Sequence, residues 1–597
     1  MKRILIISMS RMGDLLQVVP VLKALKENNT EKVFISVLVR KKFSAVVKNI
    51  SYIDDLIVFD TKEIVNKSIF GGISAYREIL ENFINDLNER HYDEIINLTF
   101  SQVSAYITYL VDAKVKKGLN FSNEGKSYYE DLWSNFFNGV VLNRTINTMN
   151  LVDIFFNIAG VKSSCELIKL PQTASYDLDD FNAAVNLKSY VIVYQMGAST
   201  ENKRWPVRSF ATLTKLILTS PDFSIKDLKI VLIGSLEEKS LSDEFKFLIG
   251  NDIVKDNIVD LIGKTQTQAL WTILKRADVF ITNDTGSMHI ATLCKTPIVN
   301  ISLGAVNFHE TGPYCTNSIV ITPKIKCYPC SFTEECTNQK CKMYIKPKDV
   351  LEAIKTLDEL CISNQKVFND VGKNISGYSN FFYSQQIYRA DSPRRIELIP
   401  LNKIKLTDKL LSEIICNMAL NAELTFDIEA FQRISQRIQK YDTKGFNSNN
   451  LKITHDTLKD LKKLVKSAEN INSEIEYELS NHNAISEEYL ADAIKKDKDL
   501  FELDVKIASF QTQGELFKYI LGIFLSLKAN NQGTLLIRTG INKFIYKLLT
   551  DSIEALVIIC NKVYIEFNNS YEMNLNTDIV EGLQGKIMET YKGVTTN

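Results

Sequence analysis

The stretch VFITNDTGSMHIATL, Val279–Leu293, runs from a short apolar segment into Asn-Asp-Thr-Gly and then restarts at helical spacing. It predicts a strand that delivers Asp284, Thr285 and Gly286 to a helix N-terminus, where backbone N–H groups can hold a phosphate. Gly286 permits close approach to the backbone, and Asp284 can accept hydrogen bonds from a ligand's hydroxyls. Asp and Thr are also ordinary helix-capping residues, so the segment alone supports either role.

Upstream, Tyr190–Gln195 reads as a strand, followed by a loop from Met196 to Pro206. Its Gly197, small hydroxyl residues Ser199 and Thr200, and adjacent cations Lys203 and Arg204 fit a diphosphate cradle. Further strands are expected at Lys229–Gly234, Val279–Thr282 and Pro297–Leu303. The first third carries a matching set at Ile4–Met9, Val33–Val39, Asp55–Phe59 and Glu94–Leu98, with helical stretches between them. Such alternation predicts two doubly wound α/β halves in tandem, with a ligand cleft between them.

The first strand ends at Ser10-Arg11-Met12-Gly13-Asp14, after which Leu15, Val18, Val19, Leu22 and Leu25 recur at helical spacing. Asp14 occupies the loop where this fold presents reactive groups, and it could equally cap a helix beginning at Leu15. Arg11 suits an anionic substrate group or a solvated charge. The Gly-x-Gly-x-x-Gly fingerprint is missing here, which argues against a nicotinamide-dependent oxidoreductase.

With 597 residues, 45% hydrophobic and 24% charged, the chain is globular. Lys plus Arg and Asp plus Glu both number 71, so no overall basic excess points to nucleic acid. The run Ile4–Met9 is too short for a secretory signal, and Tyr519–Leu527 is far short of a membrane span. The expected location is cytoplasmic, with association at the inner membrane face and self-association both left open. A polar linker is expected near Pro171–Lys188, and an irregular connector over Gly372–Pro400. The expected domains are therefore 1–170, 185–362 and a mainly α-helical extension over 400–597, with helical stretches at Leu406–Leu420, Thr457–Leu479 and Ser486–Leu503. No catalytic constellation stands out in the extension, whose default role is partner binding or oligomerisation.

Five segments in order, RMGDLLQVVPVLKAL, GASTENKRWPVRSF, LIGSLEE, NDTGSMHIATL and SLGAVNFHETGPY, resemble the family 9 glycosyltransferases, which include the ADP-heptose heptosyltransferases of lipopolysaccharide synthesis. The resemblance covers Met1 to about Leu360 and leaves the last third unmatched. It implies a GT-B fold, with the acceptor on the first Rossmann-like domain and the nucleotide-sugar on the second. It also implies an inverting transfer that needs no catalytic metal. Asp14 matches the family's proposed general base, with Arg11 and Gly13 beside it on the acceptor side. Lys203 matches the cation facing the diphosphate, and Asp284, Thr285 and Gly286 match the nucleotide-sugar loop. Glu238, or equally Glu237, matches an acidic residue holding the ribose hydroxyls. His289 falls at a recurrent histidine of the same helix and is assigned no chemistry, while Trp205 is expected to pack beneath the cradle. The implied donor is a nucleotide diphosphate sugar such as ADP-heptose, and the implied acceptor a hydroxyl on lipopolysaccharide core or a surface protein. The rival assignment is a non-catalytic scaffold of the same fold that acts through its helical extension.

Cys327, Cys330, Cys336 and Cys341 lie within CYPCSFTEECTNQKC, a spacing that suits a structural zinc or iron site, with free thiols or a redox pair as the alternative. The segment also resembles a cysteine-rich element in a branch of the family that glycosylates autotransporter proteins and holds iron there.

Overall fold

The computed structural model describes residues 1–162, 178–223, 227–330, 336, 338–363, 377–387, 395–401, 448–480, 487–510 and parts of 521–553, apart from 124, 126, 130, 143–146 and 148. The first sheet contains β1 (Lys2–Ile7), β2 (Val33–Arg40), β3 (Asp55–Phe59), β4 (Tyr92–Asn97), β5 (Ala113–Phe121) and β6 (Ser127–Tyr129). They lie in the order β3-β2-β1-β4-β5-β6, parallel throughout except for β6. The strands are near-continuous apolar runs because both faces of the sheet are covered, and Ile4 to Ile7 of β1 are fully buried.

The second sheet contains β7 (Ser189–Gln195), β8 (Asp227–Leu232), β9 (Ile258–Asp260), β10 (Val279–Asn283), β11 (Ile298–Ile301), β12 (Ser318–Pro323), β13 (Ser379–Ile387) and β14 (Arg395–Pro400). Their order is β14-β13-β12-β11-β10-β7-β8-β9, with the six strands from β12 to β9 parallel. Each sheet reverses strand order at one point, between β1 and β4 in the first and between β7 and β10 in the second. Doubly wound sheets bind ligands beyond the carboxyl ends of the strands at such points.

Three helices bear on the site: α1 (Met12–Glu27), α2 (Leu151–Ala159) and α3 (Gly286–Cys294). α1 leaves the end of β1 and packs against both α2 and α3, so a helix of the first half lies directly on a helix of the second.

The structure departs from the sequence expectations in several places. α1 begins at Met12 rather than Leu15, which makes Asp14 its third residue instead of its cap. Part of the expected linker is helical, over Asp179–Ala184. Gly372–Pro400 is no irregular connector, since β13 pairs antiparallel with β12, and β14 with β13. The second sheet therefore continues past 362 to Pro400. Strands β5, β6, β9 and β12 were not anticipated either.

The chain divides into two units, Met1–Ile404 with Ser526–Ile541, and Lys405–Leu525 with Asn542–Asn597. The expected helix Leu406–Leu420 lies outside the described residues. Within the second unit, α4 (Ser448–Ser480) contains Thr457–Leu479, and α5 (Glu487–Ser509) overlaps Ser486–Leu503. These two pack together on Leu461, Val465, Ile475, Ala493, Leu500 and Ile507, all buried. Among the described residues, no helix is long and apolar enough to cross a membrane.

The first sheet is tied across its centre by Glu94 of β4, which pairs with Lys2 of β1 at 2.6 Å and Lys117 of β5 at 2.8 Å. Burial pushes the Glu94 pKa up, but the bonds from Lys117 and Lys2 outweigh it and hold the carboxyl below its ordinary 4.5. A carboxyl depressed in the folded state stabilises the fold above its unfolded pKa and loses that contribution as pH falls through the folded value. Glu94→Gln should cost roughly 1–3 kcal/mol at pH 7. Chemical denaturation across pH should show the gap between variant and wild type closing below about pH 4.5.

Candidate functional site

The loop after β7 and the loop after β10 meet at the switch point of the second sheet, and Asn283 joins them. Its side chain is fully buried, and its amide donates to the carbonyls of Met196 at 2.9 Å and Gly197 at 3.2 Å. Its Oδ1 accepts from the Trp205 backbone N–H at 3.0 Å. One amide side chain, with two donors and an acceptor, thus pins both ends of the cradle to the last residue of β10.

Lys203 stands in a short turn of the cradle, Glu201–Lys203, and its Nζ lies 3.1 Å from Asp284 Oδ2. Both side chains are only 12% exposed. Thr311 Oγ1 donates to Asp284 Oδ1 at 3.2 Å, fixing the second carboxylate oxygen. The neighbouring cation behaves differently. Arg204 donates through Nε and Nη2 to the Ala198 carbonyl, at 3.2 and 3.0 Å, and so closes the cradle loop on itself. Of the two adjacent cations, Lys203 faces the candidate ligand region and Arg204 is structural. Ser199 and Thr200 are exposed, and Thr200 donates to Asn202 Oδ1 at 2.6 Å. Trp205 is buried against Phe210 and donates its indole N–H to the Ile345 carbonyl at 3.0 Å, the packing role expected of it.

At the start of α3 the cap residue is Thr285, and no side chain among the described residues caps the helix. The N-terminal N–H groups therefore keep the anion-binding capacity that capping would have used. The Thr285 hydroxyl is instead in a chain, 3.1 Å from Thr282 Oγ1 and 2.9 Å from Ser287 Oγ. Ser287 donates to Gln195 Oε1 at 3.4 Å, and Gln195 donates to Glu238 Oε2 at 3.1 Å. Glu238, not the exposed Glu237, is the carboxylate that turns inward. It closes a capping box by accepting from the Ser235 N–H at 2.9 Å. A Cβ on Gly197 would fall 1.5 Å from Glu238 Oε1, and one on Gly234 2.5 Å from Oε2. Those two glycines leave the space that the carboxylate fills.

Across the cleft, Asp14 is half-buried in the first turn of α1, and its Oδ2 accepts from the Arg11 backbone N–H at 3.3 Å. Arg11 itself is exposed. The turn carrying Asp14 rests on α3. The Met12 methyl lies so close to Gly286 that a Cβ there would be 2.1 Å from it, and a Cβ on Gly13 would be 3.0 Å from His289 Cδ2. Polar contacts also cross between the halves, with Asn150 Nδ2 donating to the Gly312 carbonyl at 3.1 Å and Asn307 Nδ2 to the Asn147 carbonyl at 2.7 Å.

The cysteine loop adjoins the cradle. The Cys330 N–H donates to the Gly304 carbonyl at 3.0 Å, and a Cβ on Gly304 would be 2.8 Å from the Asn202 carbonyl oxygen. Burial, and then the neighbouring Cys341, Cys336 and Cys327, push the Cys330 thiol up to about 11. The backbone N–H of Gln339, 3.3 Å from the Cys336 sulfur, pulls that thiol down. Among the described residues, no three His, Cys, Asp or Glu side chains come together closely enough to hold a metal ion.

Asn283, Gln195 and Thr311 were missed from the sequence. Their signal is positional: Asn283 and Gln195 are polar residues ending buried strands, a place where a side chain meets either a ligand or a neighbouring loop. Asn283→Ala leaves the Met196 and Gly197 carbonyls and the Trp205 N–H short of a partner, at a cost of about 1–3 kcal/mol. Asn283→Asp should cost more at neutral pH, because a carboxylate would face those carbonyls. Denaturant midpoints, with calorimetric affinity for a nucleoside diphosphate falling in parallel, check this ordering.

Residues 81–342 match the family model "Glycosyltransferase family 9 (heptosyltransferase)". The chain is 26% identical over 377 residues to lipopolysaccharide heptosyltransferase 1 of Campylobacter coli, covering 60% of this chain and 98% of that protein. It is 31% identical over 157 residues to lipooligosaccharide heptosyltransferase 2 of Campylobacter jejuni, covering 26% of this chain and 47% of its relative. The crystal structure of a family 9 glycosyl transferase from Veillonella parvula aligns with a TM-score of 0.47 and 21% identity, covering 60% of this chain and 97% of that one. Over residues 81–342, and with the C-terminal region outside the match, the chain is therefore similar to glycosyltransferase family 9, a likeness that supports a glycosyltransferase.

Proposed function

We propose that the chain transfers a heptose from ADP-heptose to an acceptor hydroxyl on lipopolysaccharide core, with inversion at the anomeric carbon. The observation that carries this assignment is the meeting of Lys203, Asp284 and the uncapped start of α3 at one switch point, with the Asp14 turn seated on the same helix. The heptosyltransferase names of the Campylobacter relatives supply the sugar and the acceptor class.

In this mechanism Asp14 takes the proton of the acceptor hydroxyl as its oxygen attacks the anomeric carbon. The bond from that carbon to the diphosphate oxygen breaks, and the electron pair stays with the leaving ADP. Lys203 and the N–H groups of Thr285, Gly286 and Ser287 face the charge that grows on the diphosphate. Asp284 accepts from sugar hydroxyls, and Glu238 from those of the ribose. Gly197 and the hydroxyls of Ser199 and Thr200 line the diphosphate side, while Arg11 and Gly13 flank the acceptor. No catalytic metal enters these steps.

The test is ADP release from ADP-heptose with heptose-free lipopolysaccharide as acceptor. Asp14→Asn should lose roughly 10²- to 10⁴-fold in kcat with its affinity for ADP retained. Lys203→Ala should lose both turnover and ADP affinity. Wild-type turnover in Asp14→Asn would remove the base assignment. Failure of the wild type to bind ADP-heptose would remove the function as a whole, and release only with a protein acceptor would reassign the acceptor.

We also propose that the four cysteines hold a structural zinc or iron beside the cradle. Four sulfur donors in one short segment have the right chemistry for either metal, although among the described residues no three of them come together closely enough to hold it. Elemental analysis of the purified full chain should find about one metal per chain, lost in Cys330→Ser. Metal-free wild type that binds ADP normally would leave these residues as thiols.

A further inference from the structure

Where the first half meets the second, two glycines and two side chains interlock. Gly13, next to Asp14, receives His289 of α3, and Gly286, at the start of α3, receives Met12 of α1. The two contacts differ in stiffness. Met12 reaches Gly286 with the free end of a flexible side chain, so that contact can yield. His289 is 6% exposed, and its ring meets Gly13 with Cδ2 and Nε2, 3.0 and 3.2 Å from where a Cβ would stand.

Three features separate His289 from an ordinary core histidine. It sits on the helix whose first turn forms the donor loop, yet its ring bears on the turn of the opposite half that carries Asp14. Its Nδ1 is buried and has no hydrogen-bond partner among the described residues, a cost that a purely structural site of this size would avoid with an apolar residue. Burial, opposed by the charge of Asp284, lowers its pKa to about 4, so the ring is neutral at physiological pH.

We propose that His289 is a positioning residue: its ring, seated on the bare Cα of Gly13, sets the spacing between the Asp14 carboxylate on α1 and the donor loop on α3. This rests on the assignment of Asp14 as the general base. Inverting displacement needs the base, the attacking oxygen and the anomeric carbon held together within a fraction of an ångström. α1 is a rigid body, so whatever fixes its first turn against α3 fixes that distance. A Cβ at position 13 would stand 3.0 Å from the ring, so the ring or α1 would have to give by a few tenths of an ångström to admit it.

The test is a double-mutant cycle of Gly13→Ala and His289→Ala in the full chain, read in kcat for ADP release, in calorimetric Kd for ADP and in melting temperature. Each single variant should lose roughly 10- to 100-fold in kcat, the scale expected when a reacting group is misplaced by up to an ångström. Its Kd for ADP should stay within about twofold of wild type, since neither residue touches the diphosphate in this arrangement. Removing the ring should make room for the methyl group, so the double variant should recover about tenfold over the product of the single losses. Melting temperatures should show coupling of the same sign.

Losses that simply multiply in kcat and add in melting temperature overturn the spacer. A loss of ADP affinity in His289→Ala that matches its loss of turnover also overturns it, by making His289 part of the donor site. Asp14→Asn, run alongside, separates the two ideas. An inactive Asp14→Asn with an uncoupled cycle removes the spacer alone, whereas an active Asp14→Asn removes the base assignment whatever the cycle gives.

Discussion

The contact on which the rest of the site depends is the ion pair between Lys203 and Asp284, 3.1 Å apart and each 12% exposed. Two charges withdrawn from water in this way carry a desolvation cost that their mutual attraction repays only when the geometry is held. The surrounding structure holds it from three directions. Asn283 pins the cradle loop to the end of β10, Arg204 ties that loop back on the Ala198 carbonyl, and Thr311 fixes the far oxygen of the carboxylate. Remove any of these and one support that holds the ammonium against Asp284 is lost.

The fold was legible in most of the strands buried on both faces, although β12, buried along its whole length, was missed. Runs such as YVIVYQ and VFIT are near-continuous and β-branched because helices cover both sides of the sheet, and their boundaries lie within two residues of β7 and β10. Legibility failed at the sheet edges. β13 ends in Ser-Gln-Gln-Ile and carries little apolar periodicity, so it looks like a loop until its antiparallel partner β12 is in view. The same holds for β9, three residues long. α1 was begun too late because Arg11, Gly13 and Asp14 are not apolar and Met12 alone sets no helical period, while the helix is set there by backbone bonding and by the Asp14 carboxylate reaching back to the Arg11 N–H.

For the site, residue types at loop positions pointed to Lys203, Asp284 and Glu238, but not to what they touch. Sequence left Glu237 and Glu238 equal; the folded chain separates them, because only Glu238 can lie over Gly197 and Gly234. Lys203 and Arg204 also looked equivalent, and their division into a ligand-facing cation and a loop clasp depends on where the Ala198 carbonyl falls. Gly286 was read as permitting close approach to the backbone. Its bare Cα faces Met12 of the opposite half, so the residue serves the joint between the halves as well as the N-terminus of α3.

That double use bears on whether the chain is a catalyst or only a scaffold. A scaffold needs its halves joined, and apolar packing would do that at least as well as a buried ion pair, whose replacement by well-packed apolar residues is often neutral or stabilising. It also needs no uncapped helix start, since a side-chain cap at that position is worth about 1 kcal/mol. Here the pair is kept, the helix start is uncapped by any side chain, and the joint between the halves falls on the turn bearing Asp14. Each choice forgoes some stability, and together they set a cation and a helix start that no described side chain caps beside a carboxylate. That combination fits the proposed departure of a diphosphate and removal of a proton better than it fits assembly alone.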